Sequence, residues 1–138
     1  MSSLWYYHLI CRQIPGDPHM EIAIHGFWTT KAGDVDPQKS LTTPLSDSRF
    51  FYQIRHDAKQ RQKVITKIFI DEEEISLVHE WMSNDGKETN FFDIPLKYRK
   101  KGEHTLRFQI FAPVSNAADA GPGTKIYDSE IFKLTFTE

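Results

Sequence analysis

Alternation with a period of two runs through nearly the whole chain, and it constrains the fold more than any other feature. In "HTLRFQIFAP" (104–113), Leu106, Phe108 and Ile110 fall on one side, with Thr105, Arg107 and Gln109 on the other. Successive side chains of a strand point to opposite faces, so such a segment buries one face and wets the other. "YDSEIFKLTFTE" (127–138) repeats the pattern with Phe132, Leu134 and Phe136 inward, and "KETNFFDIPL" (87–96) does so with Phe92, Ile94 and Leu96. "RFFYQIRH" (49–56) alternates as well. "KVITKIFID" (63–71) is β-branched and apolar on both faces, as a strand with neighbours on each side should be.

At the N-terminus, "LWYYHLICRQI" (4–14) is apolar on both faces, while "MEIAIHGFW" (20–28) sets Ile22 and Ile24 against Glu21, Ala23 and His25. "IPGDP" between them is turn chemistry, so residues 4–28 read as a hairpin of two long strands. Residues 29–48 read as the longest loop, with room for a short edge strand at "SLTTPL". "EEISLVHEWM" (73–82) has two readings. As a helix, Asp71 and Glu74 would form a capping box and Ile75, Val78 and Met82 would line one side. As a strand, Ile75, Leu77 and Trp81 share a face, with Trp81 expected in the core. The tight turn before the segment favours the strand. "SNDG" (83–86) reads as a hairpin turn, since Asn, Asp and Gly tolerate positive φ. Eight or nine short strands separated by turn signals mean an all-β protein, a two-sheet sandwich or a barrel.

Three pieces of the second half carry a likeness: "KVITKIFIDEEEI", "FFDIPLKYRKKGEHTLRFQIFAP" and "EIFKLTFTE". On them, residues 49–138 resemble bacterial immunoglobulin-like domains, which implies a two-sheet antiparallel sandwich with an added N-terminal β-hairpin. His104-Thr105-Leu106 after the Gly102 turn is a structural signature of the resemblance and brings no catalytic residue with it. The chain departs from the pattern at "DEEE", which lacks the usual Gly, and at Pro95, which hints at an edge strand. The expected organisation is one domain over 1–138: hairpin 4–28, long loop 29–48, immunoglobulin-like portion 49–138.

Composition narrows the function classes. A net charge of -2 over 138 residues supplies no field for nucleic acid or an acidic membrane. The dense basic stretch, Lys97 to Lys101, has only Tyr98 as a ring to stack a base on. Cys11 is the single cysteine, so no intramolecular disulfide forms. No signal peptide is legible and no apolar run reaches the roughly 18 residues of a span. The expectation is a cytoplasmic protein, or one exported without a cleavable signal.

Reactive constellations are missing from the sequence. Six histidines are scattered without the spacing that presents two imidazoles to one ion, so no metal site and no cofactor are expected. Asp34 and Asp36 have the alternate spacing of calcium loops, but no later Glu completes a set. Four carboxylates at Asp71–Glu74 cannot all point at one site from a strand, and read as a solvated hairpin tip. There is no nucleophile elbow and no phosphate loop. The expected function is therefore non-catalytic: a β-sandwich binding or assembly subunit that takes a protein partner or self-associates. Trp5, Tyr7, Leu9, Phe27 and Trp28 are the candidate interface, because a strand feeding one core leaves its second apolar face in water. Two alternatives stand beside it. One is a carbohydrate-binding module using exposed rings. The other is an inhibitor or immunity-type protein docking on an enzyme through loop residues such as Asp34, Asp36, Asn116 and Asp119.

Overall fold

The computed structural model describes residues 20–29, 37–83 and 85–138. Nine strands occur among them: β1 (Ile22–Trp28), β2 (Ser40–Pro44), β3 (Arg49–His56), β4 (Gln62–Ile70), β5 (Glu73–Met82), β6 (Lys87–Asp93), β7 (Gly102–Pro113), β8 (Pro122–Asp128) and β9 (Phe132–Thr137). One 3-10 turn, Leu96–Tyr98, is the only helical element in the described part. The first arm of the expected N-terminal hairpin, 4–14, lies outside the described residues.

Two sheets face each other. The three-stranded sheet runs β1-β3-β6, and the six-stranded sheet runs β2-β9-β7-β4-β5 with β8 beside the far half of β7. Pairing is antiparallel throughout except for β2 on β9. The fold is an all-β, immunoglobulin-like two-sheet sandwich. "SLTTPL" does hold a short edge strand, and 73–82 is a strand.

The alternation places the core. Leu106, Phe108, Ile110, Phe132, Leu134 and Phe136 are buried between the sheets, as their spacing requires. Opposite them lie Phe27, Phe50, Tyr52, Ile54 and Phe92. Rings interlock across the gap: Phe27 stacks on Phe132 at 6.1 Å, and Tyr52 meets Phe108 at 5.5 Å. Burying each such side chain is worth about 1.5–3 kcal/mol.

Four local expectations are corrected. First, no hairpin pairs β5 with β6: β5 pairs with β4 in one sheet and β6 with β3 in the other, so the chain changes sheets between Met82 and Lys87. Gly86 keeps its positive φ of 85° there. Second, Leu96 is 75% exposed, because β6 ends at Asp93 and Pro95 starts the 3-10 turn. Third, Trp81 lies on the outer face of β5 and is 40% exposed. The core face of that strand is Val78, Glu80 and Met82 instead. Fourth, a bulge between Ile24 and Gly26 shifts the phase of β1. Ile24 and Phe27 both face inward as a result, and Trp28 is turned outward against Phe51. A Cβ at Gly26 would sit 2.7 Å from Pro37 and the Gln38 nitrogen, so the close approach of that segment needs the glycine.

Candidate functional site

The two long sides of the sandwich are closed differently. On one side, Gln38 exchanges two backbone hydrogen bonds with Phe27 of β1 (2.9 and 3.0 Å), and the chain then crosses to pair as β2 on β9. On the other side stand β5 and β6, consecutive in the chain but in different sheets, and each has one described neighbour. Among the described residues both are edge strands. β5 contains neither Lys nor Pro, the usual guards of a free edge.

The outward groups of β6 can be assigned by parity. Ile94 N–H donates to the Ser48 carbonyl (2.9 Å), and His56 N–H donates to the Gly86 carbonyl (3.0 Å). Even-numbered residues therefore bond to β3, since hydrogen-bonded and non-bonded pairs alternate along an antiparallel ladder. Lys87, Thr89, Phe91 and Asp93 point their N–H and C=O groups outward, where Asn90 Oδ1 accepts the Phe91 N–H at 2.9 Å and the Asp85 carboxylate takes a backbone hydrogen bond from Lys87, and all four side chains are exposed.

A polar seam behind this open side holds the two edges together. The Tyr52 hydroxyl donates to Glu80 Oε2 at 2.7 Å, and the Thr66 hydroxyl donates to the same oxygen at 3.0 Å. Burial pushes the Glu80 carboxyl above its ordinary value, an effect only partly offset by hydrogen bonds from Tyr52, Thr66 and Asn90. Burial, with Glu80 beside it, likewise raises the Tyr52 hydroxyl well above its usual range. Nearer the corner, His56 accepts the Ala58 N–H through Nδ1 (3.1 Å) and meets Glu88 Oε2 through Nε2 (3.1 Å). The same carboxylate oxygen accepts from the Ser83 backbone and hydroxyl. Four strands are thus tied by side chains: β3, β4, β5 and β6.

The outer faces carry rings. On the three-stranded sheet, Trp28 stacks on Phe51 (5.9 Å) and Phe51 meets Phe91 (6.4 Å), a ladder across all three strands. Arg49 covers Phe91 at 4.3 Å and holds Asp93 with two bonds of 2.9 and 3.2 Å. On the six-stranded sheet each ring has a cation: Arg61 over Trp81, Lys67 over Phe111 and Arg107 over Phe69. Leu77 and Trp81, both 40% exposed, line the outer face of the β5 edge.

The two motif-rich stretches of the sequence meet at one end. Asp71 and Glu72 both have positive φ (50° and 68°), which makes a two-residue hairpin turn without glycine. Their side chains hold it: Asp71 accepts the Thr105 N–H and meets His104 Nδ1 at 2.7 Å, and Glu72 pairs with Arg107. Glu73 accepts from Tyr98 at 2.7 Å and lies 3.5 Å from Lys97. The acidic run and the basic turn are partners, so both are structural.

The expected site residues that are described, Phe27, Trp28, Asn116 and Asp119, do not form one surface. Phe27 is fully buried between the sheets and has no surface to offer. Trp28 joins the outer ladder but is only 4% exposed, and its Nε1 reaches no hydrogen-bond partner among the described residues. Asn116 and Asp119 are exposed on loop 114–121, whose Ala117 carbonyl accepts from Lys63 Nζ at 2.8 Å. Trp5, Tyr7, Leu9, Asp34 and Asp36 lie outside the described residues. Among the described residues no group of three or more His, Cys, Asp or Glu is placed to hold a metal ion, and no helix is long and apolar enough to cross a membrane. Sequence reasoning missed the β5–β6 side. Its one legible signal was Pro95 shortly after an alternating run, which marks β6 as an edge.

No protein-family model matches the chain, and no curated protein does. Among solved structures it is similar to the CARDB domain of a Pyrococcus furiosus protein, which was solved in complex with di-metal ions. Identity there is 6% and the TM-score 0.51, over 90% of this chain and 94% of that one. A β-glucosidase from Listeria innocua matches at 11% identity and a TM-score of 0.48, over 87% of this chain but 16% of the enzyme. The C-terminal domain of wzt matches at 18% identity and a TM-score of 0.44, over 94% and 85%. The first likeness supports the immunoglobulin-like sandwich as a fold, and the other two are too distant to carry an argument.

Proposed function

We propose that this chain is a non-catalytic binding or assembly domain that engages another protein chain through its open side. The observation that carries this is the pair of adjacent edge strands, β5 and β6, each with one described neighbour. A free ladder of N–H and C=O groups binds an extended segment by strand addition, and alternate side chains supply specificity. Leu77 and Trp81 are the apolar contacts beside the β5 ladder. The seam through Glu80 keeps both ladders in place without pairing them. The ionisable groups gathered behind the edges serve one another as hydrogen-bond partners, which supports binding over chemistry.

The glycan reading has less support, because the exposed rings Trp81 and Phe91 each already carry a guanidinium on one face. The test is site-specific photo-crosslinking in the cells that make the protein. A crosslinker at position 77 or 89 should give an adduct of defined mass, and one at position 101, on the opposite end, should give none. Absence of adducts at both open-side positions would sink the proposal.

A further inference from the structure

We infer that the β6 edge pairs with the β6 edge of a second copy of this chain, antiparallel and centred on Asn90. The inference rests on the open-side reading and names its occupant. Three observations carry it: the parity of the free groups, the length of the strand, and its charges.

Parity comes first. The outward groups of β6 belong to Lys87, Thr89, Phe91 and Asp93. A twofold axis through Asn90 sets residue 87 opposite 93 and residue 89 opposite 91 of the other copy. Every such pair matches an outward residue with an outward residue, so each becomes a closely hydrogen-bonded pair once the Asn90 and Asp85 side chains give up the Phe91 and Lys87 N–H groups to the carbonyls of the second copy. This register also uses the whole strand, Lys87–Asp93, and any shift by two residues leaves an end unpaired.

Charge selects the same register. On the outer face Lys87 lies directly across from Arg55 of β3, a like-charge pair that costs stability when nothing offsets it. Arg55 donates to Gln53 at 2.7 Å, and among the described residues neither cation is bonded to a carboxylate. At the other end of β6 sits Asp93, held by Arg49. The twofold brings Asp93 of the second copy beside Lys87 and Arg55, so the joined row alternates cation pair, carboxylate, cation. The Trp28–Phe51–Phe91 ladder then continues into its symmetry mate across the seam.

The experiment measures chain mass in solution against concentration by sedimentation equilibrium. A dimer that dissociates on dilution is expected. Lys87→Asp and Asp93→Lys each place like charges opposite one another twice per dimer and should weaken it by about tenfold. The double variant K87D with D93K restores opposite charges and should return the affinity to near the original. Thr89→Pro deletes an outward N–H and leaves the β3 ladder intact, so the dimer should be lost while circular dichroism stays that of the folded protein. If Thr89→Pro fails to fold, the charge-swap pair still decides.

A protein that stays monomeric at high concentration overturns the inference. So does a dimer insensitive to both charge reversals. The open-side reading fails separately, by silence of the crosslinker at positions 77 and 89. A monomer that gives a foreign adduct at position 77 leaves that reading standing with a different partner.

Discussion

The side of the sandwich closed by Gln38 and the side occupied by β5 and β6 solve one problem by different means. Each must stop water from entering between two sheets. On the Gln38 side the backbone does it: the chain bonds to β1, crosses, and pairs as β2 on β9, which uses up ladder groups at both sheets. On the other side the closure is made by side chains, Tyr52, Thr66, Glu80, His56 and Glu88, while β5 and β6 each keep one strand neighbour among the described residues. Backbone closure removes an edge, whereas side-chain closure leaves it in place at the cost of burying a carboxyl group.

The largest effect expected from breaking this contrast is at Phe27, the ring beneath the backbone closure. Phe27→Ala should cost about 3–5 kcal/mol by urea unfolding, because the ring bridges the sheets against Phe50 and Phe132. A loss below about 1 kcal/mol would mean that this side does not depend on its core.

The side-chain closure should be weaker and dependent on pH. Glu80→Ala leaves the buried Tyr52 hydroxyl without its acceptor and should cost about 1–3 kcal/mol. The Glu80 carboxyl is raised above the ordinary 4.5, so the folded state holds a proton that the unfolded chain releases. Its contribution is complete below 4.5 and is lost as pH rises through the folded value. Glu80→Gln keeps the acceptor and removes the ionisation. Thermal melts should therefore show Glu80→Gln more stable than the parent at pH 8 and equal to it near pH 4, and equal curves at both would remove Glu80 from the pH response.

A smaller pH effect belongs to the clasp at the end of the sandwich. Both His104 ring nitrogens face acceptors, Asp71 Oδ2 and the Lys100 carbonyl. Burial of the ring pulls its pKa down, but those acceptors outweigh it and leave the value above 6.5. The stabilisation is present below 6.5 and fades as pH climbs through the raised value. His104→Gln should flatten the melting temperature between about pH 6 and 8. An unchanged slope would place the titration elsewhere.

Smallest of all is Trp81→Ala. On the outer face, with Arg61 as its cation partner, the ring should contribute about 1 kcal/mol or less. A loss of about 3–5 kcal/mol would return it to the core and erase the exposed row beside the β5 edge.

Strand existence and most inward faces were determined by the sequence alone, because alternation is local and a strand permits only two phases. Leu106, Phe108 and Ile110 needed no partner to be assigned inward, and neither did Phe132, Leu134 and Phe136. Trp81 escaped this logic because β5 is apolar on both faces, so period two leaves the choice to packing. Phe27 and Trp28 escaped it because one bulged residue at the Gly26 crossing flips the phase of β1, and the crossing segment is distant in sequence. The corner at 83–86 carries good hairpin chemistry, yet the chain changes sheets there, since turn propensity is blind to which sheet the next strand joins. Only the tertiary structure decided that β5 and β6 are edges among the described residues, because an edge is defined by its neighbours, and a neighbour is never a local property of the chain.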